Sequence, residues 1–192
     1  MRTLTKDELL RRVAPARVKW GPRPCDVALE PVGPGEESVW DYPRPPVIEH
    51  ATLPVRVVFA DQTIASSTRA VRVLETAGAP AYYIPPDDVR MDLLRQREEA
   101  SICEWKGIAV YYDLCLDGEI AARAAFSYPD PLDDLPEGYA ALAGWVGFYP
   151  GRVQACYVGD ERVEPQEGGL YAGWVTKNIK GPIKGKPGTG HW

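Results

Sequence analysis

From residue 55 onward the chain is written in short apolar runs with polar residues at two-residue spacings. Val55-Arg56-Val57-Val58-Phe59 is broken at Ala60-Asp61-Gln62 and resumes at Thr63-Ile64-Ala65-Ser66, the pattern of a hairpin. Residues 70–75 are β-branched and alternate, so a strand is predicted there before the break at Gly78-Ala79-Pro80. Residues 81–84 predict another strand, stopped by Pro85-Pro86. Residues 88–94 predict one or two helical turns, with Asp87 as cap. The clearest hairpin joins residues 108–116 to 119–123 through Asp117-Gly118, which suits a type I′ turn. Ala140, Leu142, Ala143, Val146 and Phe148 follow Pro136 and predict the main helix at about 137–148. A last hairpin turns at Gly159-Asp160.

The first fifty residues read differently. Thr5-Lys6-Asp7-Glu8 is a capping box, and it predicts a helix over about 6–13 that ends before Pro15. Eight prolines then fall between Pro15 and Pro46, so residues 14–50 are expected to lie extended, with Val39, Trp40 and Tyr42 docking the later part. The chain of 192 residues holds 19 prolines and 18 glycines, which excludes a helical bundle. The expected fold is mainly β: a compact antiparallel sheet or barrel of short strands, with one main helix and an extended N-terminal arm. Residues 1–50 form the arm and 51–192 a single β-rich domain with a basic tail.

Charge sharpens this division. The net charge is −5, but residues 1–24 carry seven Lys/Arg against two acids and residues 177–192 carry four lysines and no acid. The body between them holds 11 bases against 25 acids. That disfavours a duplex nucleic-acid binder, which would present a basic face from the body itself. The basic ends either lie back on the body or a second subunit, or gather an anion. No apolar run is long enough to span a membrane, the charged start has no apolar signal core, and a cytoplasmic location is expected. Cys25, Cys103, Cys115 and Cys156 form no Cys-x-x-Cys pair, so free thiols, no disulfide and no metal site are expected, with Cys115 buried on a strand.

Ser38-Val39-Trp40-Asp41-Tyr42-Pro43-Arg44-Pro45-Pro46, Arg72-Val73-Leu74-Glu75, Tyr82-Tyr83-Ile84-Pro85, Cys103-x-x-Lys106-Gly107, Tyr111-Tyr112 and Tyr128-x-x-Pro131 together resemble domain-of-unknown-function family 427. So does the tail from Tyr171-Ala172-Gly173-Trp174 through Gly181-Pro182-Ile183-Lys184-Gly185, and the resemblance spans about residues 36–192. It implies a β-rich domain sometimes filed under a nucleotidyltransferase label. The chain reads Ile102-Cys103-Glu104-Trp105-Lys106-Gly107 where the family pattern is His-Cys-Pro-Tyr-Lys-Gly, and it contains no Asp-x-Asp.

Candidate chemistry centres on a few residues. Lys106 opens a strand where a cation can face a cleft, and Cys103 stands three residues before it, a thiol beside a cation. As a lone thiol without a histidine base, Cys103 reads more readily as structural. Arg72 suits a carboxylate or phosphate clamp, yet on a strand it faces away from Glu75. Asp88 belongs to an acidic cluster better suited to a turn than to a metal. Tyr112 and Trp174 are expected to line the cleft, with Lys184 at its edge. The tyrosines otherwise read as core and rim. The tail lacks the Ser/Thr of a P-loop. Two functions follow from these residues: binding or acting on an anionic, nucleotide-like small molecule, or a non-catalytic domain whose arm mediates a homodimer. No cofactor is indicated by any motif.

Overall fold

The protein is described by a computed structural model covering residues 4–19, 24, 27–136 and 138–192. It is mainly β, as the alternation predicts. Helix α1 (Lys6–Arg17) comes first, followed by β1 (Glu37–Ser38) and β2 (Val47–His50) in the proline-rich segment. The first hairpin is β3 (Val55–Phe59) and β4 (Gln62–Ser67), and β5 (Val71–Leu74) and β6 (Ala81–Ile84) come next. Three long strands, β7 (Leu94–Cys103), β8 (Gly107–Leu116) and β9 (Glu119–Ser127), precede the short β10 (Val146–Phe148). The chain ends with β11 (Ala155–Val158), β12 (Glu161–Arg162), β13 (Glu164–Pro165), β14 (Trp174–Val175) and β15 (Ile179–Lys180).

Seven strands form an antiparallel sheet in the order β2-β5-β6-β10-β9-β8-β7, and β12-β11-β3-β4 form a second sheet. Both predicted turns use left-handed residues: Ala60 and Asp61 in one, Asp117 and Gly118 in the other. Positive φ at both central positions matches the twist of the flanking strands. One face of the large sheet, with Tyr82, Ile84, Leu114, Val146 and Phe148, packs on Val55, Val57 and Ile64 of the small sheet. This is the main core, and Trp174 is fully buried in it.

The opposite face carries the site. Strand register places Val71, Tyr83, Gly147, Phe126 and Tyr111 side by side across β5, β6, β10, β9 and β8. Gly147 is required in this row, because a Cβ there would lie 2.4 Å from the Phe126 ring. Tyr139 and Leu142 cover part of this layer.

Several expectations are corrected. The predicted helix at 137–148 is a 3-10 turn, Tyr139–Leu142, followed by strand β10. Left-handed Gly138 and Gly144 bracket the turn, and Val146 and Phe148 bury on one face with a period of two. Glu137 lies outside the described residues. Helix α1 continues through Pro15 to Arg17, which gains an ion pair with Asp134. The arm is not without regular structure: β1 pairs in parallel with β15, and β2 is an edge strand of the large sheet. Its anchoring part is as expected, with Val39 and Tyr42 buried and the Trp40 indole donating to Pro182 O at 2.8 Å. Asp87 caps nothing, since the 3-10 turn Pro86–Asp88 starts at Pro85 without a side-chain cap.

The basic ends fold back. Lys6 pairs with Asp130, Lys180 with Glu36, Lys184 with Glu75 and Lys186 with Glu167. Among the described residues no helix is long and apolar enough to cross a membrane.

Candidate functional site

The aromatic row on the large sheet is the floor of a cavity of about 320 Å³. Tyr83, Phe126, Tyr128 and Tyr149 give it apolar walls, and the segment Leu170 to Gly173 closes one side. Polar groups enter from several places. Glu75 follows β5, Cys103 ends β7, Lys106 lies in the β7–β8 connection, and Lys184 comes from the C-terminal tail.

Gly107 sets the position of Lys106. Its φ of 94° lies in the left-handed region, and a Cβ would press on Leu132 at 3.2 Å. The Lys106 carbonyl accepts from Leu132 N at 3.1 Å, and Trp105 is buried beside it. The turn is thereby fixed, and the Lys106 side chain is only 7% exposed. Its Nζ stands 5.6 Å from the centre of the Tyr128 ring. Among the described residues Lys106 has no hydrogen-bond acceptor or ion-pair partner. Burial works against the ammonium, whereas Cys103, Tyr83 and Glu75 favour it, and the balance holds Lys106 above the ordinary lysine value.

Lys184 differs. Its Nζ is 3.1 Å from Glu75 Oε1, a carboxylate that Arg44 also reaches at 3.3 Å. The pair shifts unequally. Burial outweighs Glu75 and lowers Lys184, while Lys184, Lys106 and Arg44 overcome burial and hold Glu75 below the ordinary carboxylate range. Gln166 locks the tail in place, accepting from Ala79 N at 3.0 Å and donating to Lys184 O at 2.9 Å.

The structure therefore brings together Lys106, Cys103, Glu75 and Lys184 of the candidates. It does not bring the others. Arg72 faces the other way and is engaged by Glu37 and Glu49. Trp174 lies in the main core, donating to Phe148 O, and Tyr112 packs against that core as well. Asp88 is bound by Arg69 and Ser67. The parity argument explains the split, because Val73 and Glu75 share the cavity face that Arg72 cannot reach. Cys115 is half-buried rather than buried; it, Cys103 and Cys156 are free thiols, and Cys25 lies outside the described residues. Sequence reasoning missed Gln166 and Arg44 as site residues, and it read Tyr83 and Tyr128 as core and rim. Within the tail, Gly185 N donates to Thr189 Oγ1.

A β fold of two main sheets and two small two-stranded ones, with a charged, aromatic-floored cavity on the outer face of the largest sheet, defines the class of protein. The family model described as a domain of unknown function, DUF427, matches residues 47–159. The chain belongs to the DUF427 family. That model also carries a nucleotidyl-transfer label, which names no activity for this chain. No curated protein matches the chain.

Proposed function

We propose that the protein binds a small anionic ligand in the cavity above β5, β6, β8 and β9, with Lys106 as the residue that holds its charge. The observation that carries this reading is Lys106, a residue only 7% exposed whose ammonium at the cavity wall has no hydrogen-bond or ion-pair partner among the described residues. A buried charge without a partner is costly, and a bound anion relieves that cost. The cavity is concave and largely apolar with few convergent polar groups, as small-molecule sites are.

Charge balance narrows the ligand. Lys184 and Arg44 already share Glu75, and Glu104 also faces the cavity. A singly charged ligand matches one free ammonium, whereas a triphosphate meets two carboxylates. Nucleotidyl transfer also calls for carboxylates holding a divalent ion against the phosphates. Among the described residues no group of three or more His, Cys, Asp or Glu stands close enough to hold one.

The test is thermal denaturation with acetate, inorganic phosphate and magnesium–ATP at neutral pH. Acetate or phosphate should raise Tm, and Lys106→Gln should weaken the effect about tenfold or more, the worth of one charge-assisted hydrogen bond. Stabilisation by ATP alone would favour the nucleotide reading instead. No stabilisation by any of the three, or full stabilisation of Lys106→Gln, would defeat the anion site.

A further inference from the structure

Three thiols are described, and their surroundings separate them. Cys156 sits in the main core, where burial pushes its thiol up. Cys115 is half-buried on β8, away from the cavity. Cys103, at the end of β7, opens onto the cavity and shares that wall with Lys106. Tyr128 lines the same cavity, its ring 5.6 Å from the Lys106 ammonium. The thiol here shares a ring-walled cavity with an ammonium that has no hydrogen-bond or ion-pair partner among the described residues. Cations beside a thiol favour nucleophilic attack by sulfur in general.

We propose that Cys103 is a nucleophilic thiol that captures the carbonyl carbon of a small, singly charged anion whose charge rests on Lys106. The proposal rests on the anion-binding reading above and adds the chemistry at the neighbouring atom. The step balances without a further reactant. A bond forms between Sγ and the carbonyl carbon, the C=O π pair moves to oxygen, and the thiol proton ends on that oxygen, giving a hemithioacetal. Reversal regenerates the thiol and the carbonyl.

The experiment uses the full native chain at neutral pH, with iodoacetate and iodoacetamide as anionic and neutral probes and peptide mass spectrometry as the readout. Cys103 should label about tenfold faster than Cys115 and Cys156. Its iodoacetate-to-iodoacetamide rate ratio should exceed that of glutathione about threefold, because the ammonium draws the anion in. Glyoxylate, a monoanion with an aldehyde, should protect Cys103 at about tenfold lower concentration than acetate, which carries the same charge without an electrophilic carbonyl. If Cys103 labels no faster than Cys115, or if the two anions protect equally, the nucleophile is overturned. Acetate or phosphate stabilisation lost in Lys106→Gln would still uphold the anion site. Fast labelling with a glutathione-like charge ratio overturns the proposal through its premise, and needs no variant to detect.

Discussion

Glu75 shows how one side chain ties the tail to the sheet. It is the anion facing Lys184, whose side chain is only 5% exposed, and Arg44 from the proline-rich segment meets the same oxygen. Removing one member of a buried pair leaves the other charge without compensation, so Glu75→Gln should cost about 3–5 kcal/mol in urea unfolding at pH 7. The pH dependence has a definite sign. Because the folded carboxyl lies below its ordinary value of 4.5, its contribution is fully present above that value and is lost as pH falls through the folded pKa. The stability gap between wild type and Glu75→Gln should therefore close in acid, where wild-type Glu75 is itself neutral. A gap that stays constant from pH 7 to about pH 3 would mean that Glu75 acts through packing and not through charge.

At the scale of elements, turn chemistry was legible and tertiary exchange was not. Asp117-Gly118 marks its hairpin because a type I′ turn demands particular residues, whatever packs above it, and the break at Ala60-Asp61-Gln62 marks the other by interrupting two apolar runs. Residues 139–148 look helical by composition, yet β10 is recruited between β6 and β9, and its alternation becomes visible only against that register. Strand β7 is an edge strand mostly exposed along its length, so it lacks the apolar alternation that would reveal it. For the site, Lys106 and Cys103 were legible as a local pair, and strand parity already set Glu75 apart from Arg72. Gln166 was not, since it reaches the cavity from a segment 87 residues away in sequence from Ala79, and Lys184, expected at the cleft's edge, meets Glu75 in a pairing that no local pattern announces. Gly147 supplies the prediction at this scale. With a Cβ built 2.4 Å from the Phe126 ring, Gly147→Ala should displace that ring and destabilise by about 1–3 kcal/mol, with the aromatic near-UV signal altered. Unchanged stability and spectrum would show that the row tolerates a side chain there.

Across the whole molecule, the two ends of the chain bear on the site differently: the basic tail lines the cavity, and the N-terminal helix packs behind the turn that carries Lys106. Lys184 arrives with the tail. Helix α1, started by the Thr5–Glu8 capping box, docks Leu9 and Val13 on Leu132, the residue that holds the Lys106 carbonyl. Its last turn supplies Arg17, whose Nε donates to Glu104 O at 2.6 Å and whose guanidinium lies 5.8 Å from the Trp105 ring. The helix therefore braces the turn that carries Cys103 and Lys106, and it does so by two separable means. Thr5→Ala removes a cap at the far end and should cost about 1 kcal/mol of stability with little change in anion affinity. Arg17→Ala removes a partly buried bond to the turn itself. It should weaken acetate or phosphate binding on the order of fivefold, from about 1 kcal/mol of lost positioning. The two variants, compared by denaturant unfolding and by ligand titration, separate the effects: equal affinities in both would confine the helix to stability. A selective loss in Arg17→Ala would mean that the N-terminal segment, outside the stretch matched by the family model, sets the geometry of the site within it.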